Sequence, residues 1–270
     1  MKLTLIGFGF VGKAVHHTLS KHHDVKIVDP SYNDNKIEDD SDAYIICVPT
    51  PSSRDTSCDM SIVKDVVIYC PENKPILIKS TISLEGWRNL QKFGKSLSFS
   101  PEFLVANNAI TDFANQEFML YGGADYKFWK DIFPFPLVSA TVEELIMTKY
   151  VRNCFLATKV AFFNDIHKLC ETVNVNYNNV ANLTSMDRRI GSSHMQVPGP
   201  DGELGFGGAC FPKDTKALVS TADKFKTNLS VVKSVIRSND LRSDLLSKRV
   251  SFILNNKIKK QGFKYFGIGR

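Results

Sequence analysis

The sequence predicts an α/β fold: a mostly parallel sheet over residues 1–140, followed by an all-helical central domain over residues 141–262 that is built on one long helix. Three observations predict it. Short apolar runs that end in turn signals alternate with helical spacing as far as Val138. From Thr141 to Glu171 there is neither proline nor glycine, and apolar residues recur at helical spacing. The helical region is then interrupted by one glycine-rich loop, Gly205 to Asp214, that holds a cysteine. Residues 263–270 are expected to form a last, remnant strand.

The first strand is Leu3 to Ile6, and it leads at once into Gly7-Phe8-Gly9-Phe10-Val11-Gly12 and a helix marked by Val11, Val15 and Leu19. In such a strand, turn and helix, Gly7 permits the tight turn and Gly9 lets a pyrophosphate approach the backbone. Gly12 lets helix and strand pack, and the helix that opens at Phe10 and Val11 turns its N-terminus to the phosphates. Val25 to Val28 supplies a second strand, closed by Asp29, whose carboxylate is placed to bind the adenosine ribose hydroxyls. This is the pattern of a Rossmann-type domain that binds NAD. The alternative is an α/β domain with a glycine turn and no nucleotide.

Ser31 to Ser41 is polar surface connection, and Ala43 to Val48 reads as a buried third strand ending in Val48-Pro49-Thr50-Pro51. The two prolines stiffen a loop at the carboxyl end of that strand, where open parallel sheets bind ligands; a plain turn is the other reading. Met60 to Tyr69 has helical spacing. Pro75 to Ile78 is a fourth strand followed by Lys79-Ser80-Thr81, and Leu97 to Ser100 is a fifth followed by Pro101-Glu102-Phe103-Leu104. Both segments stand on the ligand edge.

At 1.5 Å per residue the helix from Thr141 runs roughly 45 Å, enough to cross between domains or to pack on a second subunit. Lys149 and Asn153 share one of its faces, either to reach a common ligand or as a solvated pair. Ala181 to Asp201 is expected to be a long loop that delivers the chain to Cys210. There the glycines, Gly207 among them, allow close backbone approach. Pro212 suits a first helical turn, and N–H groups at such a turn favour a thiolate. Cys210 is either a nucleophile or a small buried apolar residue. Helix resumes at Thr215, and Leu229 to about Asn255 holds one or two more.

The 270 residues are 43% hydrophobic, with no apolar run long enough to span a membrane and no leader pattern, which predicts a cytoplasmic globular protein. The six cysteines have no CxxC spacing, so reduced thiols are expected rather than disulfides or a metal site. A net charge of +6 suits a phosphorylated substrate, although a solvated lysine surface gives the same count. The basic cluster from Lys257 to Lys264 contains a single aromatic, Phe263, and lacks the repeated aromatic interleaving of a single-strand binding surface, so nucleic acid is not an expected partner.

Seven segments occur together in order: G-F-G-F-V-G, V-P-T-P, K-S-T, P-E-F-L, K-Y-V-R-N-C-F-L-A-T-K from Lys149, D-R-R-I-G from Asp187, and G-F-G-G-A-C-F-P-K-D from Gly205. In these the chain resembles the UDP-glucose/GDP-mannose dehydrogenase family. The resemblance implies a four-electron oxidation of a nucleotide sugar, with UDP-glucose to UDP-glucuronate as the expected case, through a thioester on Cys210 with NAD as cofactor. It assigns Lys149 and Asn153 to oxyanion stabilisation, Asp214 and Thr81 to holding or activating water, and Glu102 to the neighbourhood of the hydrolytic water. Val48, Pro49, Thr50 and Thr81 fall on the cofactor side. Phe103, Leu104 and Gly207 fall with Glu102, Lys149, Asn153 and Cys210 on the substrate side. Arg189 is the sugar contact that family members receive from a neighbouring subunit, so a homodimer through the long helix is expected.

Three departures accompany the resemblance. Ala106 stands where many members carry a second glutamate, residues 198–205 are extended, and the C-terminal nucleotide-sugar domain is expected to be absent. They keep two other functions open: a catalytically weakened NAD-binding or partner-binding module, and a two-electron dehydrogenase of the hydroxyacid type.

Overall fold

A computed structural model describes residues 1–53 and 55–242. The expected strand at 263–270 and the helical stretch towards Asn255 lie outside the described residues. The chain divides into two compact units, Met1–Arg152 and a second beginning at Asn153.

The first unit is an α/β sheet. Its strands are β1 (Lys2–Ile6), β2 (Asp24–Val28), β3 (Ala43–Ile46), β4 (Ile76–Ile78), β5 (Leu97–Phe99), β6 (Met119–Gly123) and β7 (Leu137–Ser139). The order is β2-β1-β3-β4-β5-β6-β7. β1 to β5 are parallel, so the segments that follow β1, β3, β4 and β5 share one edge of the sheet. Because β1 lies between β2 and β3, the strand order reverses there, and the crevice beside Gly7 is a topological switch point. β6 runs antiparallel to β5, and β7 parallel to β6; neither strand was expected from sequence.

Among the connecting helices are α1 (Phe10–Leu19), α2 (Ser61–Tyr69), α3 (Leu84–Gln91), α4 (Ala109–Ala114) and α5 (Tyr126–Ile132). α1 places Ala14, Val15 and Leu19 in one apolar core with Leu3, Leu5 and Ile45 of the strands, and Phe113 and Trp129 complete its far side. β3 and β4 are buried on both faces, which is why they read as unbroken apolar runs.

The long helix is α6 (Val142–Thr172), 31 residues, within one residue of the expected bounds. Its start is fixed by a capping box: Thr141 Oγ1 accepts from Glu144 N–H, while the Glu144 carboxylate accepts from the Thr141 N–H at 2.9 Å. The division between units falls inside this helix because its first turns pack on the sheet. Val142 and Leu145 lie against Gly122 of β6, where an added Cβ would come within 3.1 Å of each.

In the second unit α6 is joined by α7 (Tyr177–Ser185), α8 (Phe211–Lys224) and a helix over the described residues 230–242. α7 occupies the start of the stretch expected to be a loop. Phe163 and Cys170 of α6 pack with Tyr177, Met195 and Val197. Ala157 and Ala161, on another side of α6, pack with Phe206 and Val235. A third stripe stays open: Met147, Val151, Phe155, Phe162 and Leu169 are exposed, Phe155 at 67%, and their spacing of four, four, seven and seven keeps them on one face. Among the described residues no helix is long and apolar enough to cross a membrane.

Candidate active site

The dinucleotide turn has the geometry its glycines suggest. Gly7 has φ +94°, a conformation side chains rarely adopt, and a Cβ there would lie 2.6 Å from the Cys47 carbonyl oxygen. A Cβ on Gly12 would meet the Gly7 carbonyl oxygen at 2.0 Å, so helix and turn are in contact. Gly9, the N-cap of α1, has nothing within 4 Å of that position, which leaves its backbone open to a ligand. Phe10 and Val11 open the helix behind it. The Asp29 carboxylate holds the turn and its own loop at once, accepting from Phe8 N–H at 2.6 Å and from Ser31 N–H at 2.8 Å. Beside it is a cavity of about 390 Å³ lined by Val28, Pro30, Asn33, Lys36, Ile37 and Tyr69 among others. The open backbone at Gly9 and the acid that closes β2 fit the diphosphate and ribose of a dinucleotide.

Along the same sheet edge, Val48 and Thr50 are buried and Pro49 is exposed; Ser80 Oγ donates to the Val48 carbonyl at 2.7 Å, tying the loop after β4 to the loop after β3. Thr81 is partly buried, and its carbonyl accepts from Cys58 Sγ.

Glu102 follows β5 and is almost fully enclosed. Its Oε1 accepts from the Phe103 N–H at 2.9 Å. Its Oε2 lies 3.1 Å from the Nζ of Lys79, a charge contact without hydrogen-bond alignment. Its carbonyl accepts from Lys149 Nζ. Phe103 is covered by two cations of α6, with Arg152 Cζ 4.2 Å and Lys149 Nζ 5.5 Å from the ring centroid. Leu104 packs on the sheet core. The structure thus brings Glu102, Phe103 and Lys149 together in the first unit.

The second unit holds the remaining candidates. Cys210 is the N-cap of α8, with Pro212 in the first turn. It is the exposed cysteine of the six. Burial pushes the thiols of Cys47, Cys70 and Cys154 up to about 12, so those three are not nucleophiles near neutral pH. One turn beyond Cys210, Asp214 is 1% exposed. Asn153 Nδ2 donates to its Oδ2 at 2.5 Å, and Lys213 Nζ to its Oδ1 at 2.6 Å. Gly207 is exposed. Arg189 stands in the 187–191 turn with its side chain 89% exposed, forked onto Asp187 at 2.6 Å; this pairing holds the Asp187 carboxyl below its usual range.

Several contributors carry no signal that sequence reading caught. Lys79 was visible only as a member of K-S-T. Lys159 donates to the Ile190 and Gly191 carbonyls at 2.8 and 2.9 Å, so the turn bearing Arg189 has an anchor that its loop sequence does not announce. The cysteine loop is held by two asparagines. Asn164 Oδ1 accepts from Gly205 N–H at 2.8 Å, while Asn239 accepts from the Phe206 N–H at 2.7 Å and donates to the Phe206 carbonyl at 2.9 Å. Asn164 lies about three turns beyond Asn153 on the same face of α6, a spacing that could have flagged it.

Comparison with known proteins bears on this arrangement directly. Residues 32–132 match the NAD binding domain of the UDP-glucose/GDP-mannose dehydrogenase family, and residues 143–241 match its central domain. The chain belongs to this family. Its first unit carries the family's NAD binding domain, in agreement with the fit of the turn. The UDP-glucose 6-dehydrogenase of Rickettsia typhi is 32% identical over 247 residues, covering 84% of this chain and 56% of the relative. A UDP-glucose 6-dehydrogenase of Bacillus subtilis is 32% identical over 219 residues, covering 74% of this chain and 46% of the relative. Among solved structures, the UDP-glucose dehydrogenase of the hyperthermophilic archaeon Pyrobaculum islandicum superposes with a TM-score of 0.76 at 25% identity, over 93% of this chain and 71% of that one. The chain spans about half the length of the curated relatives it matches.

Proposed function

We propose that the chain catalyses, or carries the catalytic half of, the NAD-dependent four-electron oxidation of a nucleotide sugar, with UDP-glucose to UDP-glucuronate the best-supported case. The observation that supports it most is the exposed thiol of Cys210 at a helix N-terminus, one turn before a buried, doubly bonded Asp214, in a chain with an NAD binding domain.

The thiol has a clear chemical purpose. The sugar C6 alcohol loses a proton and a hydride to become an aldehyde. A hydride leaves readily from a tetrahedral carbon bearing an oxyanion, and the Cys210 thiolate makes one by adding to that aldehyde. Loss of the second hydride gives a thioester on Cys210, and water releases the acid and the thiol. NAD, when bound, accepts one hydride in each oxidation. Lys149 and Asn153 are assigned to the oxyanion, and Asp214 with Thr81 to holding the water. Glu102 is assigned to the hydrolytic step as a carboxylate that accepts from the Phe103 N–H. Phe103, Leu104 and Gly207 are assigned to the sugar side.

We also propose a homodimer built on α6 in which each copy lends Arg189 to the other's sugar. The open stripe from Met147 to Leu169 supports the interface, and the exposure of Arg189 supports the loan. The cytoplasm is the proposed location, where NAD and reduced thiols coexist. A second reading, a catalytically weakened NAD-binding or partner-binding module, is favoured by one feature: Ala106, in the exposed turn Ala106–Asn108, offers no carboxylate.

Mixing the protein and NAD with a panel of nucleotide sugars, and counting NADH made per sugar consumed, separates these functions. Two is the expected result. One indicates a two-electron dehydrogenase, and none the module.

A further inference from the structure

Lys79 is the buried cation that the proposed chemistry leaves unused. Its side chain is 0% exposed, at the carboxyl end of β4. The ammonium donates to Ser100 Oγ at 3.1 Å, touches Met119 Sδ at 3.9 Å, stands 5.3 Å from the centre of the Phe113 ring, and is 3.1 Å from Glu102 Oε2. Enclosing an ammonium this way is costly, and well-packed apolar residues hold a sheet together as well or better. What an apolar residue cannot do is fix the position of a carboxylate. Glu102 is the residue so fixed, and its carbonyl is also the acceptor for Lys149 Nζ. Lys79 therefore stands behind Glu102 on the sheet side, and Lys149 meets the same residue from α6.

We propose that Lys79 is a positioning residue: by holding Glu102 from within the sheet it sets the loop after β5, and through the Glu102 carbonyl it sets the place of the Lys149 ammonium. The positioning stands on the geometry alone; its effect on turnover rests on the function proposed above.

The test uses Lys79→Met and Ser100→Ala in the full chain, the second removing the hydroxyl that aims the ammonium while keeping its charge. Without substrate, lysine reactivity is measured by trace acylation and peptide mass spectrometry, with Lys95 as internal reference because its ammonium is held by the Ile68 carbonyl at 2.8 Å and it precedes β5, whereas Glu102 follows that strand. Labelling of Lys149 is expected to rise several-fold in Lys79→Met, and less in Ser100→Ala, with Lys95 unchanged. In turnover, Lys79→Met is expected to lower kcat about a hundredfold with KM for NAD unchanged, the scale of a misplaced catalytic group. Lys149 labelling that stays constant, or that rises only in step with Lys95, overturns the proposal. If Lys79→Met yields no folded protein, Ser100→Ala decides by the same criterion. A wild-type protein that makes no NADH removes the proposed function and leaves the labelling result standing.

Discussion

Asn153 and Asp214, 61 residues apart in sequence, are joined at 2.5 Å by a hydrogen bond from the Asn153 amide to an Asp214 carboxylate oxygen. The bond links α6 to the first turn of α8 and fixes the carboxylate one turn beyond Cys210. Asn153→Ala leaves a nearly inaccessible carboxylate with Lys213 as its remaining partner among the contacts described. It should destabilise the protein by about 2 kcal/mol, the usual scale for a lost bond to a buried charge, read from urea unfolding.

The three glycines of the dinucleotide turn should respond differently to alanine. Gly12→Ala drives a Cβ into the Gly7 carbonyl oxygen, 2.0 Å away, so it should cost about 1–3 kcal/mol of stability as well as NAD binding. Gly9→Ala meets nothing within 4 Å and should fold normally while weakening NAD, because only the approach of the pyrophosphate is obstructed. Thermal unfolding with and without NAD distinguishes the two.

Asp29 should make the protein prefer NAD to NADP. Its carboxylate closes β2 beside the dinucleotide turn, where the ribose is expected, and a 2′-phosphate there would set two negative charges in contact. Titration with each cofactor checks this; equal affinities would remove Asp29 from the site.

Thiol chemistry should single out Cys210. The species that iodoacetamide alkylates is the thiolate, and burial pushes Cys47, Cys70 and Cys154 up to about 12, so at pH 8 they remain protonated. Cys210 is exposed. Iodoacetamide at pH 8 should modify it first in folded protein, with the other three reacting only after denaturation, as read by peptide mass spectrometry.

Phe155→Asp should convert a dimer to a monomer by light scattering, because it places a charge in the middle of the open stripe on α6. Cys210→Ala and Arg189→Ala, each inactive alone, should regain activity when mixed under subunit exchange, since one site of the mixed dimer keeps both residues. No recovery despite proven exchange would contradict a shared Arg189.

The sheet core was legible because β1, β3 and β4 are short, mostly apolar runs that end in turn signals. β6 was not, since Met-Leu-Tyr-Gly-Gly mixes an aromatic with two glycines whose reason is tertiary: a Cβ on Gly122 would lie 2.7 Å from the Ala140 carbonyl oxygen. α7 hid behind its asparagines, which are poor helix interiors; Asn176 instead caps it by accepting from Asn179 N–H at 3.2 Å. At the candidate site, Cys210 and its helix start were readable from glycine, cysteine and proline spacing. The partners of Glu102 were not, because Lys79 and Lys149 come from distant segments and neither shows in a local pattern that it will meet that residue.

The central claim is that Cys210 carries the substrate as a thioester after two oxidations. It is tested most directly by acid-quenching the protein during turnover with NAD and UDP-glucose and weighing the peptide that contains Cys210. The account predicts that peptide bearing the mass of the nucleotide-linked uronyl group, removable by hydroxylamine and absent from Cys210→Ala. Formation of two NADH per sugar with Cys210 unmodified at every quench time, and undiminished in Cys210→Ala, would contradict it.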